Sequence, residues 1–444
     1  MSCRGTRSFF PIAAITLAIL ALPAFPANAA KPLKVYILAG QSNMQGAAAL
    51  STIERLAMTP DSLPMYKEMT GGDGKYETKV VWKEGDEPNK WLEQYKDKQY
   101  TVVPNTYIAY LGAARMGDEV IQGPLSVGFG AKPDKIGPEF TFGLYMQKHL
   151  QEPILIIKAA WGGKNIFLDF RPPGAGPFFP DPSKVEDRKG NKGIITAEER
   201  IARAEEAQHR YYNLMVEHVK SVLADPGKYH PAYDKEAGCE IAGFVWFQGW
   251  NDLVGPGDIY PWNEEAKDAQ GNLRDGQDVR DYSKYSELLA QFIRDVRKDV
   301  NAPNMPFVIG VIGVGGEQLE PDDKQLCFRK AMAAPASMPE FKDTVAAVHT
   351  AKYWDIAAQV LRDKVRTEAE KRVAEDFPEI KRFAARNKKT SEFIEQLTPE
   401  MLTAEEIELI NVGTSHAGFH YMGSAYTYGK IGEAFAKAMI NFEP

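Results

Sequence analysis

The chain has 444 residues, 44% hydrophobic and 11% aromatic, a globular composition with ample material for a core and no bias toward disorder or fibre. The formal net charge is −7, and no basic stretch of any length stands out, which argues against nucleic acid as a partner. The length suits one large domain with insertions, or two domains.

The first 29 residues read as a secretory signal peptide. Arg4 and Arg7 make a positive start, Phe9 to Phe25 an apolar stretch, and Ala27-Asn28-Ala29 a small-x-small cleavage site, with cleavage expected after Ala29. Pro11, Pro23 and Pro26 interrupt the apolar run, which weighs against a membrane anchor, and Cys3 is badly placed for a lipid anchor. No later segment holds ~18 uninterrupted apolar residues. The expectation is a secreted or periplasmic protein, soluble and without stable membrane insertion. Loss of the two arginines takes the net charge from −7 to −9.

Five apolar runs then predict buried strands: Lys34–Ala39, Pro153–Ala160, Ile241–Phe247, Met305–Val314 and Thr344–Thr350. Several are rich in Val and Ile and apolar nearly throughout, as suits strands covered on both faces. Helical patterns alternate with them. The capping box Thr196-Ala-Glu-Glu199 opens a helix expected to run to about Leu223. A second helix is expected from Tyr282 to about Val300, and a third from about Gly423 to Asn441 closes the chain. This alternation predicts a mostly parallel sheet with helices on both faces. Residues 47–136 and 352–410 read as insertions in a single domain spanning 30–444, the second helical and carrying another capping box at Thr403-Ala-Glu-Glu406. Cys239 and Cys327 remain after export, which permits a disulfide without establishing one. There is no Cys/His cluster with zinc spacing, and the carboxylates of 268–278 lack calcium-loop spacing, so no metal is expected.

Ligands of open parallel sheets bind outside the carboxyl ends of the strands. The first strand is followed there by Gly40-Gln41-Ser42-Asn43, the second by Trp161-Gly162-Gly163-Lys164, and the third by Gln248-Gly249-Trp250-Asn251-Asp252. His420 sits just before the last helix. These residue types suit acyl transfer. Ser42 is a nucleophile, His420 its base, and the N–H of Ser42, Gly162 or Gly163 and the Asn251 amide are donors for a tetrahedral oxyanion. Gln41, Trp161, Gln248 and Trp250 flank the group as candidate substrate contacts.

These blocks resemble the SGNH hydrolases, the group related to GDSL esterases. "GQSNM" resembles the branch containing sialate O-acetylesterases and family-six carbohydrate acetylesterases. Gly249-Trp250-Asn251-Asp252 matches the Gly-x-Asn-Asp block, "AAWGG" is similar to the glycine loop, and "FHYMGSAYTYGKIGEAFAKAM" to the last block and its helix. The set runs in order from Lys34 to Met439. The resemblance implies a flavodoxin-like three-layer α/β/α sandwich with about five strands. It also implies a carbohydrate O-acetylesterase that needs no cofactor and acts on an acetylated glycan. Two departures bear on mechanism. The family's Asp three residues before the histidine is Ala417 here, and the branch's Gln-Gly-Glu-Ser-Asp has Trp250 and Asn251 at its Glu and Ser positions.

Asp252, Asp355 or Glu139 could orient His420 in place of the missing acid, or a backbone carbonyl could leave a Ser-His dyad. His416 competes for the base role. The plainer readings make Ser42 a turn residue, His420 a packed or capping histidine, and Asp252 a loop brace. They make Trp161, Trp250 and Tyr421 core aromatics, and Lys164 and Arg171 solvated groups. A non-catalytic glycan-binding protein and an esterase or lipase for other acyl esters are the rival functions.

Overall fold

A strand that is apolar on both faces has to be covered on both faces. The computed structural model of the protein covers the expected strands in this way. It describes residues 31–80, 92–113, 119–190, 193–255, 281–317 and 323–443, so the expected signal peptide and the stretch 268–278 lie outside the described residues. Seven strands form the central sheet: β1 Leu33–Gly40, β2 Thr106–Leu111, β3 Val120–Pro124, β4 Ile154–Ala160, β5 Cys239–Phe247, β6 Phe307–Val311 and β7 Val345–His349. Their order is β7-β6-β5-β1-β4-β2-β3. All neighbours are parallel except β3, which pairs antiparallel with β2 at one edge.

Side chains of β5 alternate between the two helical layers. Phe244 and Trp246 pack on Phe292 of the helix Ser283–Asp299. Phe247 packs on Phe435 of the helix Ala425–Ile440, on the face where Tyr36 of β1 meets Phe142 of the helix Glu139–Leu150. The fold is therefore the expected α/β/α sandwich, with seven strands rather than about five. The two extra strands come from the stretch 47–136, whose mixed polar pattern hid them. β3 alternates between exposed and half-buried residues, as an edge strand facing solvent does.

The helix expected from Thr196 to about Leu223 is two, Ala197–Ala207 and Arg210–Ala224. His209 breaks it with φ +62 because the loop after β4 binds there. Its N–H donates to Leu168 O, its Nδ1 lies 2.9 Å from Arg171 O, and Tyr211 N donates to Asp169 O. Residues 356–413 form three helices with a small core of their own around Val365, Ala369, Leu397 and Leu402. Cys239 and Cys327 are free thiols. Among the described residues no helix is long and apolar enough to cross a membrane.

Candidate active site

The register of the sheet decides which residues meet at its carboxyl edge. Gly40, the last residue of β1, pairs with Ala160 of β4 and Phe247 of β5. Gln41-Ser42, Trp161-Gly162 and Gln248-Gly249 therefore leave the sheet side by side. Gln41 N donates to Phe247 O and Trp161 N to Gly40 O, closing the three exits together. A Cβ on Gly40 would lie 2.2 Å from Phe247 O, so only glycine allows this approach. The chain also changes sides at β1, with β4 laid against one flank and β5 against the other. The crevice at such a switch point is where this architecture binds ligands.

Ser42 opens a single helical turn, Ser42–Gln45, in which Asn43, Met44 and Gln45 are buried and only Ser42 is half-buried. Its Oγ lies 3.5 Å from Gln41 Nε2. Gly162 faces it closely enough that an added Cβ would be 3.7 Å from Ser42 Cβ, and Gly163 follows in the left-handed region at φ +77. Beneath the turn, fully buried Lys158 of β4 donates to Gln45 O at 2.9 Å, Phe129 O at 2.7 Å and Glu139 Oε2 at 2.8 Å.

The amide orientations follow from backbone donors, one after another. Gln41 Oε1 accepts from Gly249 N at 3.1 Å and Asn251 N at 3.2 Å, so Gln41 must present its Nε2 on the other side. That Nε2 donates to Asn251 Oδ1 at 2.9 Å. The Asn251 Nδ2 is thereby left as a donor with no partner among the described residues. Gln248 is fixed independently. Three acceptors, Lys164 O, Gln41 Oε1 and Asp252, surround its Nε2 and share its two protons, while fully buried Tyr285, its phenol held protonated by desolvation and by the charge of Asp252, directs its one proton toward Gln248 O and Oε1.

Asp252 is buried and braces the glycine loop. Its carboxylate accepts from Ile166 N at 3.1 Å and Phe167 N at 3.3 Å, besides Gln248. The same loop is closed on itself by Asn165 Oδ1, which accepts from Leu168 N at 2.7 Å, and by Asp169, which accepts from Asn165 N at 3.0 Å. Lys164 pairs with Asp169 at 3.4 Å and lies over the Tyr211 ring; Arg171 donates to Gly176 O and Phe167 O.

His420 arrives on the loop 415–423. Ser415 N and His416 N both donate to Met422 O, and Tyr421 and Met422 take positive φ of 49 and 55. Buried Tyr421 pins the strained turn, its hydroxyl accepting from Gly313 N at 2.8 Å and bonding Thr350 Oγ1 at 2.7 Å. Asn43 joins this loop to the Ser42 turn, donating to Phe419 O at 3.3 Å while accepting from Tyr428 Oη at 3.0 Å. The half-buried His420 ring has its Nδ1 3.0 Å from His416 Nδ1, and in this structure it makes no hydrogen bond to Ser42. Burial first, then His416 and Lys135, lower its pKa to about 4, so the ring is neutral at pH 7.

Of the acids weighed for His420, each is engaged elsewhere. Glu139 holds Lys158 and Gly137 N, Asp355 pairs with Arg55 at 2.8 Å and caps the helix Ile356–Asp376, and Asp252 braces the glycine loop. Among the described residues, no carboxylate is in ion-pair contact with either histidine. Trp250 stacks on Phe419, ring centroids 5.9 Å apart at 25°, at the rim, whereas Trp161 packs into the cluster of Phe170 and Tyr211. Among the described residues no group of three or more His, Cys, Asp or Glu is placed to hold a metal.

Lys158, Tyr285 and Phe419 escaped the sequence reading. A lone lysine inside "ILIIKAA" was the available signal for the first. A cation in a strand covered on both faces requires a buried partner.

A three-layer sandwich that brings a serine turn, a glycine loop, an oriented asparagine and a histidine loop to one sheet edge defines the SGNH hydrolase class. Over residues 32–279, more than half of the chain, the sequence matches the family described as SASA, carbohydrate esterase, sialic acid-specific acetylesterase. The chain belongs to that family and is an esterase. No protein of curated function matches it in sequence. Among solved structures it is similar to a protein from Arabidopsis thaliana, at 16% identity and a TM-score of 0.33 over 72% of this chain and 86% of that one. It is also similar to a carbohydrate acetylesterase from Xanthomonas citri, at 13% identity and a TM-score of 0.34 over 71% of this chain and 49% of that one.

Proposed function

We propose that this protein is an exported serine esterase that removes O-acetyl groups from an acetylated glycan through an acetyl-Ser42 intermediate. The observation that carries the reading is the orientation of Asn251. The bonds among Gln41, Gly249 and Asn251 leave its Nδ2 as an oriented donor with no partner among the described residues, on the segment that leaves the sheet beside Ser42 and Gly162. An oriented donor at this place suits the oxygen of a tetrahedral intermediate.

In the reaction, Ser42 Oγ bonds to the acetyl carbon as its proton passes to His420 Nε2. The carbonyl oxygen becomes an oxyanion held by the N–H of Ser42, the Gly162–Gly163 loop and Asn251. The C–O bond to the sugar breaks, and His420 returns the proton to the leaving oxygen. Water then attacks the acetyl-enzyme by the same route and releases acetate. The stacked Trp250 and Phe419 at the rim offer a face for a sugar ring.

Ser42→Ala is expected to abolish acetate release from p-nitrophenyl acetate while the protein stays folded; full activity in that variant removes Ser42 from the mechanism. That no carboxylate among the described residues is paired with His420 favours the second reading, a glycan-binding protein without turnover. That protein would retain sugar in equilibrium dialysis and release no acetate. Export is checked by mass spectrometry of the mature chain, expected to begin at Ala30.

A further inference from the structure

Where the family places an acid beside its catalytic histidine, this chain places a second histidine. His416 lies one residue ahead of Ala417. The turn that folds Ser415 N and His416 N onto Met422 O brings its ring against His420, centroids 4.6 Å apart and inclined by 49°. Two neutral imidazoles with Nδ1 atoms 3.0 Å apart can bond only if one ring carries a proton there and the other a lone pair.

The role of His420 as base decides which ring donates. The donor ring is left with a bare Nε2 and the acceptor ring with an Nε2–H. No Nε2 bond within the protein satisfies either ring among the described residues. A base for the Ser42 proton needs a bare Nε2, so the leftover Nε2–H belongs on the other ring. His420 is therefore the donor, and its Nε2 is the free base. We propose that His416 is the positioning residue of this esterase, accepting the Nδ1 proton of His420 so that His420 Nε2 is held ready for the proton of Ser42. The proposal rests on the acyl-transfer reading above.

The charges around the pair keep this arrangement. Partial burial lowers the pKa of both rings, and the charges of Lys135, Lys132 and Arg362 on His416, and of His416 and Lys135 on His420, lower it further, so both rings are neutral at pH 7. His416 then remains an acceptor. When His420 takes the serine proton, its Nδ1–H bond becomes charge-assisted and strengthens as the barrier is crossed. No proton passes to His416.

The test uses the mature protein labelled with 15N-histidine. In long-range proton–nitrogen spectra at pH 7, His420 is expected as the Nδ1–H tautomer; an Nε2–H tautomer overturns the proposal whether or not the protein turns over ester. For turnover, His416→Ala is expected to lower kcat roughly 10- to 100-fold, within the range that general-base catalysis spans, with little change in KM. His416→Asn, whose Oδ1 can take the place of Nδ1, should recover most of that loss. His416→Asp should move the acid limb of kcat/KM upward by about 1 to 3 pH units. Unchanged kcat in His416→Ala, equal losses in the Ala and Asn variants with intact circular dichroism, or an unmoved limb in His416→Asp each overturn it. Absence of Ser42-dependent turnover in the wild type counts against the esterase reading alone, because the tautomer still decides the role of His416.

Discussion

Lys158→Met tests the support beneath the serine turn. Lys158 and Glu139 are both fully buried, and the ammonium spends its three protons on Glu139 Oε2, Gln45 O and Phe129 O. Methionine matches the stem in volume, so little packing is lost. What is lost is the counter-charge of Glu139 and the donors of two buried carbonyls. Breaking a buried pair by removing one partner costs about 3–5 kcal/mol, a large fraction of the ~5–15 kcal/mol that holds a domain folded. Urea unfolding followed by circular dichroism should show a midpoint lowered accordingly. Because Gln45 O ends the turn that Ser42 begins, kcat should fall with stability. Lys158→Met combined with Glu139→Gln removes the orphaned charge, and about half of the lost stability is expected to return. A single variant within ~1 kcal/mol of wild type would refute the reasoning, since an uncompensated buried carboxylate cannot be that cheap.

Three further outcomes follow from the geometry. Asp252→Asn should lower stability by ~1–3 kcal/mol, because one amide oxygen cannot replace a carboxylate that accepts from Ile166 N, Phe167 N and Gln248. Its kcat should fall less than that of His420→Ala, and equal losses with intact folding would make Asp252 part of the proton-transfer machinery. Tyr421→Phe removes the hydroxyl that holds Gly313 N and Thr350, so kcat is expected to drop several-fold at nearly unchanged KM, on the order of 1 kcal/mol for one buried bond; a wild-type kcat would show that the strained turn holds itself. For pH, the pKa of His420 is lowered, so the ring stays a base as acid is added until about pH 4. The kcat/KM of the free enzyme should therefore hold through pH 6 and fall only as pH approaches 4, and an acid limb near 6.5 in the pH–rate profile would contradict the burial and cationic surroundings seen here.

The parts of the site carried by strand ends were legible in the sequence, because an apolar run followed by a small polar turn has one place to go in a parallel sheet. Ser42, Gly162 and Asn251 come together for that reason. The central sheet was under-read where burial is one-sided, as in β3 with its alternating exposure. The helix break at His209 left no signal, since its cause is a loop some forty residues earlier that donates no pattern of its own. Asp252 was open between site acid and brace because both need the same residue after the same asparagine. Its two backbone partners, Ile166 and Phe167, exist only once the glycine loop folds over it. His416 was visible only as a competitor for the base role, because spacing cannot tell two histidines that compete from two that bond.

The two halves of the site are held in different ways, and this bears on how each should fail. On the sheet side, Tyr285, Gln248, Gln41 and Asn251 orient one another from buried groups, and the glycine loop is tied through Asp252, so a change there disturbs packing and donor position together. On the histidine side, one short loop carries both rings, pinned by Tyr421 and tied to the serine turn through Asn43. A misplacement of about 1 Å there can cost ~100-fold in rate while the core beneath remains intact. Substitutions on the sheet side should therefore lose stability and turnover in proportion, and those on the histidine loop should lose turnover first. On our proposal the His420–His416 pair therefore sits on the 415–423 loop, the part of the site whose loss should spare the core.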